Sequence, residues 1–148
     1  MPSLPVLKSL NYETKVNVIF KNETKRDIDL YWIGYDGMYV RYARNLRTDR
    51  IYNVFTFETH PWVARDSNTG AVIHFNKTCS VFIPVANEDC LPVIVPLNIP
   101  VYTLKEISVQ ALCRMCVSEV DNLELPEELK DKLREKRTLN CDKEYTPR

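Results

Sequence analysis

Histidine and cysteine are sparse in this 148-residue sequence, and they are scattered. The two histidines are His60 and His74, and the five cysteines are Cys79, Cys90, Cys113, Cys116 and Cys141. No nucleophile stands beside an identifiable base. With three glycines and no Gly-rich phosphate loop, little backbone is open to close ligand approach. Cys113-Arg-Met-Cys116 spells C-x-x-C, but it falls on a helical pattern with no second pair and no βαβ unit, so it reads as two packing thiols. The expectation is a non-catalytic protein with no metal and no cofactor. One other group carries recognition chemistry: Trp32, Tyr42, Thr56, His60 and Trp62. These two indoles, a phenol, a hydroxyl and an imidazole converge if neighbouring strands pair. Such a set can enclose a flat ring with a polar substituent; equally, aromatics in strands are commonly plain core.

The elements that must position them are legible from periodicity. From Val16 to about Ile99 the pattern is period two or short apolar runs rich in β-branched and aromatic residues: 16–20, 27–33, 39–42, 51–57, 62–64, 71–75 and 80–83. Asn22-Glu-Thr, Arg47-Thr-Asp, Asp66 to Gly70 and Asn87-Glu-Asp separate them as turns, and Asp36-Gly37 between apolar flanks predicts a hairpin. Pro92, Pro96 and Pro100 interrupt the next apolar segment, which therefore reads as an edge strand or an extended connector. The predicted fold class is mostly β plus α, an antiparallel β-sandwich followed by a small helical module. The expected divisions are a tail over 1–15, the sandwich over 16–99, the helical module over 100–137 and a tail over 138–148.

Thr103 and Glu106 have the spacing of a capping box, so a helix begins there and runs to about Val120. Leu104, Ser108, Ala111, Leu112 and Met115 form one stripe; Val109, Cys113, Cys116, Val117 and Val120 form another. A helix apolar over most of its circumference needs cover on both sides. Pro126 starts a second helix, on which Leu129 and Leu133 share a face. Twenty basic residues against twenty acidic ones leave no net field to recruit nucleic acid or an anionic membrane. No apolar run approaches a membrane span of roughly 18 to 20 residues, and Met1 to Leu10 lacks the features of a signal peptide, so the expected setting is intracellular, with reduced thiols. The triplets at Asn22 and Asn76 then serve as turns rather than glycan sites.

These motifs together resemble the von Hippel-Lindau tumour suppressor family from about Val16 to Arg137. In that family a Trp, a Tyr, a Ser, a His and a Trp form the pocket for hydroxylated proline of hypoxia-inducible factor α. The resemblance assigns these roles to Trp32, Tyr42, Thr56, His60 and Trp62. Trp32 and Tyr42 keep the family's separation, as do His60 and Trp62, with one extra residue between Tyr42 and His60; Asn22, Asp36-Gly37 and Arg65-Asp66 also sit at family offsets. Thr56 stands for the family's Ser, and Phe55 and Phe57 stand where His and Tyr are common. Thr103, Leu104, Ser108, Leu112 and Met115 are similar to the elongin-C box, with Ser108 in place of its Cys. Cys113 is no substitute, lying about 140° around the axis from Ser108. Leu125, Pro126, Leu129 and Leu133 resemble the cullin box, of cullin-2 rather than cullin-5 type. The implied role is substrate receptor of a ubiquitin ligase with elongins B and C, cullin-2 and a RING protein, in cytoplasm and nucleus, linking oxygen-dependent prolyl hydroxylation to degradation. The alternative is a sandwich adaptor or scaffold that keeps the helical module and binds an unmodified peptide or a matrix component.

Overall fold

The computed structural model describes residues 6–115, 125–131 and 145. Seven strands follow one another: β1 (Lys15–Asn22), β2 (Ile28–Ile33), β3 (Tyr39–Leu46), β4 (Ile51–Phe57), β5 (Trp62–Asp66), β6 (Val72–Phe75) and β7 (Val93–Asn98). The helix α1 (Leu104–Arg114) comes next, and residues 127–131 form a further helical turn. The strands make one sheet in the order β3-β2-β5-β6-β7-β1-β4. It is nearly closed, with the chain-consecutive strands β3 and β4 at its two ends. Residues 47–50 connect them, tied to the end of β1 by Asp49 N–H to Asn22 O at 2.8 Å and Asn22 N–H to Arg50 O at 3.0 Å.

Alternation in β1 sends Val16, Val18, Phe20 and Asn22 inward, and antiparallel register sets Thr56, Val54 and Tyr52 of β4 opposite the first three. Ile28, Leu30, Trp62, Ala64, Ile73, Phe75, Val95 and Leu97 complete a core drawn from every part of the sheet. Phe20 is its hub, with ring centroids 5.3 Å from Trp62, 5.7 Å from Phe75 and 5.9 Å from Phe82. β2 is apolar on both faces because Tyr31 and Ile33 pack with Val63 in a second cluster, partly covered by Tyr39 and Val81. The Asp36-Gly37 hairpin forms as predicted, with Gly37 at φ +79° and its N–H bonded to Gly34 O at 3.0 Å. Asn22 is fully buried, its amide tying Arg26 O at 2.7 Å and Leu46 O at 2.8 Å, while Asn76 turns at φ 52°.

Several details differ from the sequence reading. The sheet is continuous through β6, which pairs β5 on one side and β7 on the other, and it is antiparallel except at β1–β7, which run parallel. The Pro-punctuated segment is neither edge nor connector, since β7 lies between β6 and β1. Pro96 is tolerated because its carbonyl, accepting from Asn76 N–H at 2.9 Å, faces β6 just past that strand's last residue, Phe75. Its missing donor faces the same way, beyond the ladder. Finally, residues 80–83 make only a bridge, Trp62 and Phe82 exchanging backbone bonds of 2.8 and 2.9 Å. The segment ahead of β1, expected as a tail, is tied down at Ser9, whose hydroxyl donates to Ile33 O at 2.6 Å.

The joint to α1 is polar. Arg26 reaches Asp66 at 3.2 Å and Gln110 Oε1 at 2.6 Å, its guanidinium lies 5.4 Å from the Tyr102 ring, and Tyr102 donates to Val72 O at 2.7 Å. Lys105 of α1 pairs with Glu128 of the helical turn. No helix among the described residues is long and apolar enough to cross a membrane.

Candidate functional site

Pairing of β2 with β5 sets Trp32 directly opposite Trp62, and a slip in the β2–β3 ladder brings in Tyr42. Leu30 pairs with Ala43 but Tyr31 with Arg41, so Tyr42 is an extra residue in its strand. Such a bulge re-aims side chains: Tyr42 and Ala43 both take the core face, beside Trp32. The Tyr42 ring lies 5.0 Å from Trp62 and 6.1 Å from Trp32. His60 follows β4 and stacks at 5.2 Å and 31° on Trp32, while Thr56 on β4 accepts from the Trp62 indole N–H at 3.1 Å. The five residues expected to converge form one contiguous cluster.

Burial and hydrogen bonding fix the proton positions in the cluster. Burial lowers the His60 pKa below its ordinary 6.5, the bond to Asn11 opposing only in part, so the ring is neutral at pH 7. Its Nε2 lies 2.9 Å from the Asn11 carbonyl, which only accepts, so Nε2 carries the hydrogen and Nδ1 is the acceptor. The Tyr35 hydroxyl lies 3.1 Å from the same Nε2. At Thr56 the oxygen accepts from Trp62, which leaves the hydroxyl hydrogen to donate elsewhere. The Trp32 indole N–H is already used, bonding Ser9 Oγ at 2.8 Å. Burial and the neighbouring phenols of Tyr145, Tyr52 and Tyr35 push the Tyr42 pKa up to about 12. Thr56 is 2% exposed, Trp62 1% and His60 6%, so these three are closed off from solvent, while Trp32 and Tyr42 stay partly exposed.

Ser9, Asn11, Tyr35 and Tyr145 escaped the sequence reading. Tyr35 adjoins the hairpin signal, but the other three sit far along the chain in segments without periodicity. Phe57 covers His60 at 5.1 Å, and Phe55 is exposed with the Lys15 ammonium 4.7 Å from its ring.

The helical residues fall on two sides of α1. Thr103 caps it, accepting from Glu106 N–H at 3.1 Å while Glu106 Oε2 accepts from Thr103 N–H at 2.7 Å. Ser108 Oγ donates back to Leu104 O at 2.9 Å. Leu104 is 80% exposed and Met115 73%, with Ile107 and Ala111 also turned outward. Leu112 instead turns partly inward, packing with Cys113, Leu125 and Leu129 around Val109, and Pro126 is exposed. Leu133, Cys116, Val117 and Val120 lie outside the described residues.

A family model described as the VHL beta domain matches residues 7–90, which hold all five cluster residues. Protein Vhl of Drosophila melanogaster is 34% identical over 76 residues, a stretch covering 49% of this chain and 40% of that protein. With more than half of the chain matched by that domain model, and the strands that build the aromatic cluster inside the match, the chain belongs to the VHL family.

Proposed function

We propose that this chain is the substrate-recognition subunit of a ubiquitin ligase, its β-domain taking an extended peptide that carries hydroxyproline, as in hypoxia-inducible factor α. The observation that carries the reading is the complementary polarity at Thr56 and His60. With Nε2 of His60 and one acceptor position of Thr56 already used, a ligand hydroxyl that reaches both residues can donate to His60 Nδ1 and accept from the Thr56 hydroxyl, while the aromatic walls cover the proline ring. Unmodified proline leaves both groups unpaired. At about 1–3 kcal/mol per buried unsatisfied group, the preference reaches roughly 2–6 kcal/mol, enough for a near all-or-none response to hydroxylation. The receptor itself supplies proximity, and the transfer chemistry belongs to its partners.

The outward face of α1, headed by Leu104, suits docking on elongin C. Leu125, Pro126, Leu129 and Leu133 are the proposed cullin contacts. Because Leu125 and Leu129 also cover Val109, substitutions at Pro126 separate cullin binding from packing more cleanly. Burial of Thr56, His60 and Trp62 favours a second reading, a packed wall in an adaptor that binds unmodified peptide elsewhere. Matched peptides differing only in the proline hydroxyl decide between the two. A hydroxyl preference of at least tens of fold is expected, and equal affinity rejects the oxygen-signal reading. Leu104→Asp is expected to abolish co-purification with elongin C without unfolding the β-domain; retained association counts against the docking face.

A further inference from the structure

Tyr145 lies on the aromatic cluster. Its ring is stacked on Tyr42, centroids 4.3 Å apart and planes 5° from parallel. Its backbone N–H donates to the Arg41 carbonyl at 2.9 Å. β3 is one end of the strand order, so that carbonyl belongs to a sheet edge, and the bond is of the kind by which an extended segment adds to a sheet. The other end of the sheet is β4, and Tyr145 acts there too: burial raises the Tyr52 phenol, and Tyr145 raises it further. One residue from far along the chain thus sits on the β3 edge, against the Tyr42 wall of a cluster whose Thr56 and Trp62 are sealed from solvent.

We propose that Tyr145 is a tethered occupant of the peptide site, docked in cis on the β3 edge and Tyr42, which an incoming extended peptide must displace. The proposal rests on the reading of the cluster as a peptide site. A tethered competitor needs no high intrinsic affinity, because its effective concentration is set by the chain that holds it. While it is docked, the apparent affinity for peptide falls by the fraction of molecules in which the site is open. Its ring supplies the stacking and its backbone the edge bond, so phenylalanine at 145 preserves both and alanine removes the ring.

The full-length chain and its Tyr145→Ala and Tyr145→Phe variants test this in two ways. Without peptide, the Tyr42 ring protons, followed by NMR, are expected to lose the upfield ring-current shift in Tyr145→Ala and keep it in Tyr145→Phe, independently of protein concentration. In titrations with a synthetic peptide carrying one 4-hydroxyproline, Tyr145→Ala is expected to bind roughly three- to tenfold tighter than the parent and Tyr145→Phe about equally. Equal affinity of all three for a peptide that does bind overturns the competitor, as does a Tyr42 spectrum indifferent to residue 145. A concentration-dependent shift overturns docking in cis in favour of a second copy. If no variant binds hydroxylated peptide, the peptide-site reading falls and the competitor with it, and the peptide-free spectra still report whether Tyr145 docks.

Discussion

At the scale of single residues, the site depends on where two hydrogens sit. Asn11 O holds the hydrogen of His60 on Nε2, and Trp62 N–H takes an acceptor position on Thr56, so one group accepts and the other donates. Protonating His60 turns Nδ1 into a second donor and removes the acceptor that a ligand hydroxyl needs. Because burial lowers the folded pKa below 6.5, the unfolded chain takes up the proton first as pH falls. The stability His60 contributes is therefore complete above pH 6.5 and is lost as pH falls through the folded pKa. Affinity for hydroxylated peptide is expected to hold from pH 8 to about 6.5 and to fall below the folded pKa, with the residual preference over unmodified peptide shrinking in step; isothermal titration across that range checks it. An affinity that rises on acidification contradicts the assigned tautomer. The aromatic and hydroxyl members of the cluster were legible as types that strand pairing could bring together, and their separations along the chain carried the resemblance that gave them a role. The residues that orient them were not: Ser9 and Asn11 act across separations of 23 and 49 residues, and no local pattern encodes such a contact.

At the scale of elements, the strands β1 to β6 follow the period-two patterns and short apolar runs of the sequence, while β7 was obscured by its own prolines. Proline speaks against a central strand only where the ladder needs its N–H, and at Pro96 the neighbouring strand has already ended. The bulge at Tyr42 is another feature that periodicity conceals, since two adjacent residues share one face. The start of α1 was fully legible from Thr103 and Glu106, but its attachment to the sheet was not. That attachment runs through Arg26, which serves Asp66, Gln110 and the Tyr102 ring together. Asp66 also accepts from the Asn68 and Thr69 amides, so its charge keeps partial compensation when Arg26 is lost. Arg26→Met is expected to cost about 2–3 kcal/mol, less than a fully buried pair because the guanidinium side chain is 26% exposed. Native-state hydrogen exchange locates the damage: amides of α1 are expected to lose more protection than those of β1. Equal losses in both place the anchoring elsewhere.

At the scale of the whole molecule, the nearly closed sheet makes one set of side chains both core and site wall. Trp62 is 1% exposed, touches Phe20 on one side and Tyr42 on another, and gives its indole N–H to Thr56. Stability and recognition are coupled through that ring, whereas the outward face of α1 shares no side chain with the core. The coupling predicts an asymmetry between two substitutions. Phe20→Ala removes a fully buried ring that contacts Trp62, Phe75 and Phe82, and is expected to cost about 3–5 kcal/mol, a large share of the roughly 5–15 kcal/mol that holds a domain of this size. The cavity frees Trp62 to shift, so peptide affinity is expected to fall as well, even under conditions where the variant remains folded. Leu104→Asp alters an 80% exposed residue and is expected to change urea stability by less than about 0.5 kcal/mol and leave peptide affinity intact. Urea unfolding followed by tryptophan fluorescence, with peptide titration of each folded variant, reads both effects. A Phe20→Ala protein that is destabilised yet binds peptide as tightly as the parent places the site away from Trp62, because a wall that loses its backing cannot hold the ring it faces in one position.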